Sequence, residues 1–508
     1  MLFNFKSKSQ PAPTINHAGA PAFKMTPEME LYTAVVTSML SDNTYEKGAD
    51  RLKRITALIQ KSNPVFVAQL AVYARENMYL RSMPLVLAVE LAKIHTGDDL
   101  VSRLVARVIQ RADELTEILA CYAMANQRQT DTKSLAKLSK QVQRGVGLAF
   151  NKFDEYQFAK YNRDGSIKLR DVLFLTHPKP KNEAQQVVFN KIARNELSTP
   201  YTWETELSAL GQVKFATEAA RAAAVTQKWE ELIHSNKLGY MALLRNLRNI
   251  LDANVSPAAI QKVCFTLADP HQVRQSRQLP FRFLSAHREL VKHTSGYTGS
   301  VLSALESAVQ ASVANLRGFG FDTAVAIAAD VSGSMQKPIS ANSKIMAYDI
   351  GLMLAMMLRS KCQNVVSGMF GSNWKIIQFP TDAILNNVQE MYRREGEVGY
   401  STNGHLVIED LIHRNIRMDK VMLFTDCQLW NSTGKGTIQD AWAKYRAQVA
   451  PNAKLYLFDL VGYGQSPLDL SKGNGVHLIA GWSDKIFDVL AALDEGTDAL
   501  KMIRSIQV

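Results

Sequence analysis

From Thr26 onward the apolar positions recur at the three-and-four spacing of short helices. Leu31, Ala34, Val35, Ser38 and Met39 share one face, and Leu52, Ile55 and Ile59 repeat the pattern. Thr26-Pro27-Glu28 supplies a hydroxyl N-cap, a proline at the first helical position and an acid in the first turn. Pro64 opens a helix through Val65 to Glu76, and Pro84 opens another through Leu87, Val89 and Leu91. Strand-like alternation is nearly absent as far as about Arg317, a stretch of some 290 residues. That is too long for a simple bundle and predicts stacked helical pairs of the HEAT kind, at roughly 40–47 residues per unit. No clean sequence repeat marks that period, so an irregular all-α domain is the alternative.

Beyond Arg317 the pattern changes to alternating strands and helices. Strands are predicted at 323–329, 365–371, 374–379, 421–425, 455–461 and 477–480, with Ser372-Asn373 as a hairpin turn between the second and third. Helices are predicted at 344–359, 438–448 and 485–493, and Met353, Met356 and Met357 read as core filler. About six strands make one doubly wound α/β sheet. The predicted fold is therefore multidomain: an all-α HEAT-like helical-repeat domain over 15–318, then an α/β doubly wound domain over 321–508.

Composition adds little until charge is divided along the chain. At 508 residues the protein exceeds one comfortable core, and no run approaches the ~18–20 apolar residues of a membrane span. Met1-Leu-Phe-Asn-Phe-Lys6 lacks the pattern of a secretory signal, so a cytoplasmic, non-membrane protein is expected. The four cysteines, Cys121, Cys264, Cys362 and Cys427, form no C-x-x-C pair, which argues against a zinc ribbon or a disulfide framework. Cys427 follows a strand but has no marked His, Asn or Asp partner, and reads as a plain thiol. Residues 1–320 carry 41 Lys+Arg against 28 Asp+Glu, whereas residues 321–508 carry 18 against 19. The entire positive excess sits in the helical part. Such a surface suits phosphate backbones or anionic membranes; a merely solvated basic face is the plain alternative.

The most basic and least apolar stretch runs from Lys152 to Lys181. A turn at Asp164-Gly165 precedes a helix over 166–176, which Pro178 ends. Arg170 and His177, seven apart, are expected on one face. Arg163, Lys168, Arg170, His177, Lys179 and Lys181 form a candidate phosphate-binding rim, with Tyr161 or His177 offering a ring to a base. A solvated helix with a capping histidine explains the same residues.

A second constellation sits where the first α/β strand ends, in Asp330-Val-Ser332-Gly-Ser334-Met335. Ligands bind at that edge of doubly wound sheets. A carboxylate and two hydroxyls at alternate positions of a glycine-containing turn converge on one point. Asp426, after the strand 421–425, and Thr402, at a helix entrance, bring a second carboxylate and a third hydroxyl. Five oxygen donors of low total charge suit Mg²⁺ with a position left for water, a carboxylate or a phosphate. With no G-x-x-x-x-G-K-[ST] loop, and too few carboxylates for a two-metal nuclease, the site reads as one of binding, and the protein as no enzyme. The pattern resembles the metal-ion-dependent adhesion site of von Willebrand factor A domains.

Taken together, the two halves resemble the TROVE family, and within it the bacterial and phage relatives of the Ro autoantigen. The resemblance is carried by Leu31-Tyr-Thr, Arg81-Ser-Met-Pro84, Arg170-Asp171 through His177-Pro-Lys-Pro180, Tyr240-Met-Ala-Leu-Leu-Arg-Asn-Leu-Arg-Asn249 and the set Asp330, Ser332, Ser334, Thr402, Asp426. It implies a ring of HEAT-like repeats formed by one chain and closed by the A domain. A central hole would take single-stranded 3′ ends of misfolded noncoding RNA, and an outer basic surface would bind Y RNA, for RNA quality control or degradation. By position, Lys160, Arg170 and His177 fall in that outer RNA-binding region. Arg163 lies beside them without a clear counterpart, and the residues between Lys160 and Arg170 depart from the animal pattern. The resemblance further implies delivery of RNA to the exonuclease polynucleotide phosphorylase. The rival reading is a cation-dependent scaffold without an RNA role, on which the basic excess of the helical part would be wasted.

Overall fold

The structure, a computed structural model, describes residues 13–38, 46–128, 130, 135, 137–162, 165–313, 322–339, 343–430, 437–470, 473–481, 483, 485–494 and 498–508. The chain divides into two compact units, each drawing on separate stretches. One comprises residues up to Leu58, Gln278–Arg288 and Leu305–Leu500; the other comprises Ile59–Arg277, Glu289–Ala304 and Lys501–Val508. The boundary expected at 318–321 lies outside the described residues.

The first unit is built on a six-stranded sheet. Its strands are β3 (Val325–Asp330), β4 (Val365–Phe370), β5 (Trp374–Ile376), β6 (Lys420–Thr425), β7 (Lys454–Asp459) and β9 (Val476–Ala480), in the order β5-β4-β3-β6-β7-β9. Only β4 and β5 pair antiparallel, through the hairpin read at Ser372-Asn373; the other neighbours are parallel. Parallel strands have both faces covered, so they read as continuous apolar runs, and every residue of β3 and β6 is buried. Helix Ala347–Arg359 lies on one face, with Met353, Met356 and Met357 buried in the core as read. It comes so close to the sheet that a Cβ on Gly351 would stand 3.2 Å from Phe424 Cβ and 3.1 Å from Leu460 Cδ1. A second apolar cluster joins Val407, Ile408, Leu411, Trp442 and Tyr445 of two further helices to Leu423, Leu455 and Leu457 of the strands.

The same unit holds a small antiparallel sheet with no counterpart in the sequence reading. β1 (Pro13–Ile15) pairs with β2 (Pro21–Lys24), and β2 pairs with β8 (Gln465–Ser466) across more than four hundred residues. Three short strands beside prolines carry too little alternation to be seen in sequence.

The second unit is helical. Its helices begin where proline and a side-chain cap coincide: Asn63 before Pro64, Ser256 before Pro257 and Asp269 before Pro270 each accept a backbone N–H of the first turn. The helix assigned to Pro84 starts earlier, at Ser82, which leaves Pro84 in the first turn where its missing N–H has no intrahelical partner to lose. Helices Pro64–Glu76 and Glu114–Ala125 are joined by a buried pair in which Arg75 Nη2 donates to both Glu114 oxygens at 2.7 and 2.9 Å. Helices Leu100–Val108 and Lys140–Phe150 meet at Gly145, where a Cβ would stand 2.6 Å from Val105 Cβ and 2.7 Å from the Ser102 carbonyl oxygen. Among the described residues, no helix is long and apolar enough to cross a membrane.

Candidate metal centre and nucleic-acid interface

The parallel arrangement of β3 and β6 carries the ends of both strands to one sheet edge, and with them Asp330 and Asp426. Asp330, Ser332 and Ser334 are all buried, the last two around a short 3-10 turn, Gly333–Met335. Ser332 N–H donates to Asp330 Oδ1 at 2.9 Å, and the Ser332 and Ser334 hydroxyls lie 3.3 Å apart. The loop before helix His405–His413 is tied to the same turn by the Gly333 N–H, which donates to the Tyr400 carbonyl at 3.2 Å. Thr402, on that loop, is also buried. Asp330, Ser332 and Ser334 thus lie together at the end of β3, Asp426 follows β6 on the same edge, and Thr402 sits on the loop tied to their turn.

The electrostatics of this edge are those of an uncompensated anion site. Burial, with the neighbouring Asp426 carboxylate, pushes Asp330 up to about 7, and burial likewise raises Asp426. Asp426 Oδ1 accepts from Gln428 N–H at 2.9 Å, whereas its Oδ2 is buried without a hydrogen-bond partner. A buried carboxylate oxygen left bare is costly unless a cation meets it. Two carboxylates and three hydroxyls are the hard oxygen donors that a Mg²⁺-sized ion takes.

Several supporting residues escaped the sequence reading. Thr425 Oγ1 donates to Asp330 Oδ2 at 2.6 Å and fixes that carboxylate from the neighbouring strand. Asp459 ends β7 beside Thr425, accepts from Val461 and Gly462 N–H, and is pushed by burial up to about 6. The turn between β1 and β2 braces the loop after Asp426: Asn16 Nδ2 donates to the Leu429 carbonyl at 2.9 Å and His17 N–H to Gln428 Oε1 at 2.7 Å. A threonine ending an apolar strand just before the second aspartate was a readable clue; Asn16, more than four hundred residues away, left none. Cys427 is buried at φ 62°, and burial and the surrounding aspartates hold its thiol well above the ordinary range, which suits the plain-thiol reading.

The basic segment folds as two short helices anchored on a third. Helix Glu155–Tyr161 carries Lys160 and buries Phe158 against Phe150 and Phe153, with ring centroids 5.7 and 5.8 Å apart. Helix Leu169–Thr176 carries Arg170 and packs on helix Lys140–Phe150. It begins three residues later than read, because Asp171 reaches back to accept the Lys168 N–H at 2.9 Å. His177 is not on its face: it leaves the helix at φ 46° while its N–H donates to the Leu173 carbonyl, so the seven-residue spacing does not align it with Arg170. Lys160, Arg170 and His177 are all exposed; Arg163 lies outside the described residues.

Rings accompany these cations. Lys160 Nζ lies 5.6 Å from the Tyr156 centroid, and the Arg170 guanidinium 5.5 Å from that of Phe174. Tyr156 and Phe174 are 43% and 50% exposed, enough to present a ring face. Tyr161, the ring named from sequence, is already covered by Arg111 at 4.4 Å. Phe174 was hidden in the apolar run Val172–Leu175, where only its phase relative to buried Leu169, Val172, Leu173 and Thr176 sets it outward.

Comparison with known proteins adds to this geometry. The family model described as TROVE domain matches residues 29–196 and 193–312, and the one described as Ro60 vWA domain matches residues 324–493. The chain is 24% identical over 374 residues to telomerase protein component 1 of Rattus norvegicus, covering 54% of this chain and 14% of that protein. It is 25% identical over 348 residues to the protein of the same name in Mus musculus, covering 52% and 13%. It thus spans about a seventh of the length of these curated relatives. Among solved structures, the RO (RSR) protein of Deinococcus radiodurans superposes with a TM-score of 0.59 at 18% identity, over 93% of this chain and 100% of that one, a likeness of fold.

Proposed function

This chain belongs to the TROVE family, and from that membership we propose that it is an RNA-binding protein of the Ro type that takes structured RNA on the surface around Lys160, Arg170 and His177. The observation that carries the proposal is the state of the charges there. No carboxylate pairs with these three exposed side chains among the described residues, while the neighbouring acids are committed: Asp154 caps Gln157 N–H, Glu155 holds Lys191 and Ser198, and Asp171 caps Lys168 N–H. A phosphate backbone supplies the missing negative charge and releases counterions on binding. Phe174 and Tyr156 offer faces on which unpaired bases stack. In its finer form the proposal makes Y RNA the structured ligand and takes 3′ ends of misfolded noncoding RNA into a central hole of the helical ring, for RNA quality control or degradation.

The second part of the proposal is a Mg²⁺-type ion held by Asp330, Ser332, Ser334, Thr402 and Asp426. Bound there, the ion offers a positive coordination site to a carboxylate or phosphate of a partner. The bare Asp426 Oδ2 and the like-charged Asp330 support it, since a divalent cation relieves both. Half-neutral donors favour binding over catalysis.

The RNA reading is tested with the full chain and a fluorescently labelled Y-like stem-loop. Log affinity should fall linearly with log salt between ~50 and ~200 mM. Lys160→Ala, Arg170→Ala and His177→Ala together should weaken binding by about tenfold or more with the melting temperature unchanged, as lost charge-assisted contacts cost on the order of 1.5–3 kcal/mol where they are desolvated. Salt-independent binding, or an unaffected triple variant, excludes this surface as the RNA site.

A further inference from the structure

We infer that a cavity beside the cation edge seats a tyrosine side chain of a partner protein, whose nearby carboxylate completes the coordination of the proposed ion; the inference deepens the cation reading above and rests on it. The cavity measures about 310 Å³ and lies within the sheet-bearing unit. Ligand pockets run from about 300 to 1,000 Å³, so this one takes a single large side chain rather than a cofactor. Its walls come from separate segments. β2 begins at Pro21, the loop after β6 brings Leu429 and Trp430, helix Ile438–Gln448 begins at Ile438, and Pro467 follows β8. His405 opens helix His405–His413 and completes the lining.

The cavity and the cation edge share a framework. Trp430 N–H donates to the Thr402 carbonyl at 3.0 Å, and Thr402 precedes His405 by three residues. Gly404, between them, packs so closely that a Cβ there would stand 3.0 Å from Leu429 Cδ1. One short loop thus carries a proposed ion ligand at one end and a cavity wall at the other. Trp430 is 47% exposed and offers an indole face, whereas Leu429 and Ile438 are buried, the make-up of a pocket that anchors an aromatic residue. His405 sets the polar end of the occupant. It is 3% exposed, and its Nε2 has no hydrogen-bond partner among the described residues. Burial holds the ring below the usual imidazole range, which keeps it neutral. A neutral imidazole has one donor and one acceptor nitrogen, and a phenol hydroxyl both donates and accepts, so it satisfies Nε2 in either tautomer. Phenylalanine fills the same space but leaves that nitrogen bare, at the cost of a buried unpaired polar group. Serine and threonine carry the hydroxyl without the volume.

The test measures fluorescence anisotropy of the full chain, in Mg²⁺ and in EDTA, with labelled peptides in which a few glycines separate an aspartate from a tyrosine, a phenylalanine or an alanine. In Mg²⁺ the best tyrosine peptide should bind about tenfold or more tighter than its phenylalanine counterpart, with alanine weaker still. His405→Phe removes a buried unpartnered nitrogen, so it should keep or raise the melting temperature while erasing the preference for tyrosine over phenylalanine, which misfolding cannot produce. Trp430→Ala should weaken both aromatic peptides several-fold and leave Mg²⁺ stabilisation of the free protein unchanged. Mg²⁺-dependent binding of the three peptides with equal affinity overturns the inference and leaves the cation reading standing. Tyrosine preference at equal affinity in Mg²⁺ and EDTA ends the cation reading and, with it, the inferred pairing of tyrosine and carboxylate. Mg²⁺-dependent self-association that Trp430→Ala abolishes assigns the cavity to a second copy of this chain and overturns the partner protein. Failure of every peptide to bind overturns the inference, while Mg²⁺ stabilisation of the free protein decides the cation reading by itself.

Discussion

Asp330 carries opposite burdens in the presence and absence of a cation. Without one, it is a buried carboxylate beside a second, Asp426, its charge stabilised by the Ser332 N–H and hydroxyl and by the Thr425 hydroxyl. Asp330→Asn keeps the shape and an oxygen to accept those bonds while removing the like-charge repulsion. In EDTA the variant should therefore melt at or above the wild type. On adding Mg²⁺ the wild type should gain stability, by about 2.7 kcal/mol at a hundred times the dissociation constant, and the variant should gain none. RNA affinity should be unchanged between them. Calorimetry showing equal Mg²⁺ stabilisation of both proteins rules out Asp330 as a ligand. The carboxylates and hydroxyls of this site were legible because strand endings and residue types suffice to place them. His177 was legible only as a residue type: nothing in the sequence shows that a non-glycine residue takes the left-handed cap position, which depends on the contacts that end its helix.

Glycines inside helices show how an element's sequence can mislead. Gly145 and Gly147 both weaken helix Lys140–Phe150 by intrinsic propensity, yet only one is required by packing. A Cβ at Gly147 would meet nothing nearer than the Thr176 carbonyl oxygen at 3.5 Å, an ordinary contact, whereas at Gly145 it would collide with helix Leu100–Val108. Gly147→Ala should be neutral or stabilising by up to about 1 kcal/mol. Gly145→Ala should destabilise by about 1–3 kcal/mol through overpacking, and lower the melting temperature by several degrees. A Gly145→Ala protein as stable as the parent in scanning calorimetry would mean the helices separate freely at that crossing. Proline-capped starts and the apolar parallel strands were readable because their causes are local. Helix crossings and the start of Leu169–Thr176 were not, since they depend on which helix lies opposite and on one carboxylate reaching back to a backbone N–H.

Across the whole chain, the division of charge was the sequence feature with the widest functional reach, since residues 1–320 hold all of the positive excess. The structure refines it by separating arginines neutralised within the fold, such as Arg75 and Arg81, from those left open, such as Arg170, Arg274 and Arg277. What the sequence could not convey is the pairing of β2 with β8, because Phe23 and Lys24 meet Ser466 and Gln465 from opposite ends of the chain. That pairing sets a timetable. During synthesis at about 5–20 residues per second, the first strands wait roughly 20–90 seconds for their partner to emerge. Contacts of such long sequence separation form late because loop closure must precede any reward. Pulsed hydrogen exchange during refolding should find the amides of β2 protected after those of β3 and β6, and simultaneous protection would refute the order. Since Asn16 and His17 brace the loop after Asp426 from the turn beside β2, the cation site proposed above would be completed only when that ribbon docks, and a nascent chain would not present it prematurely.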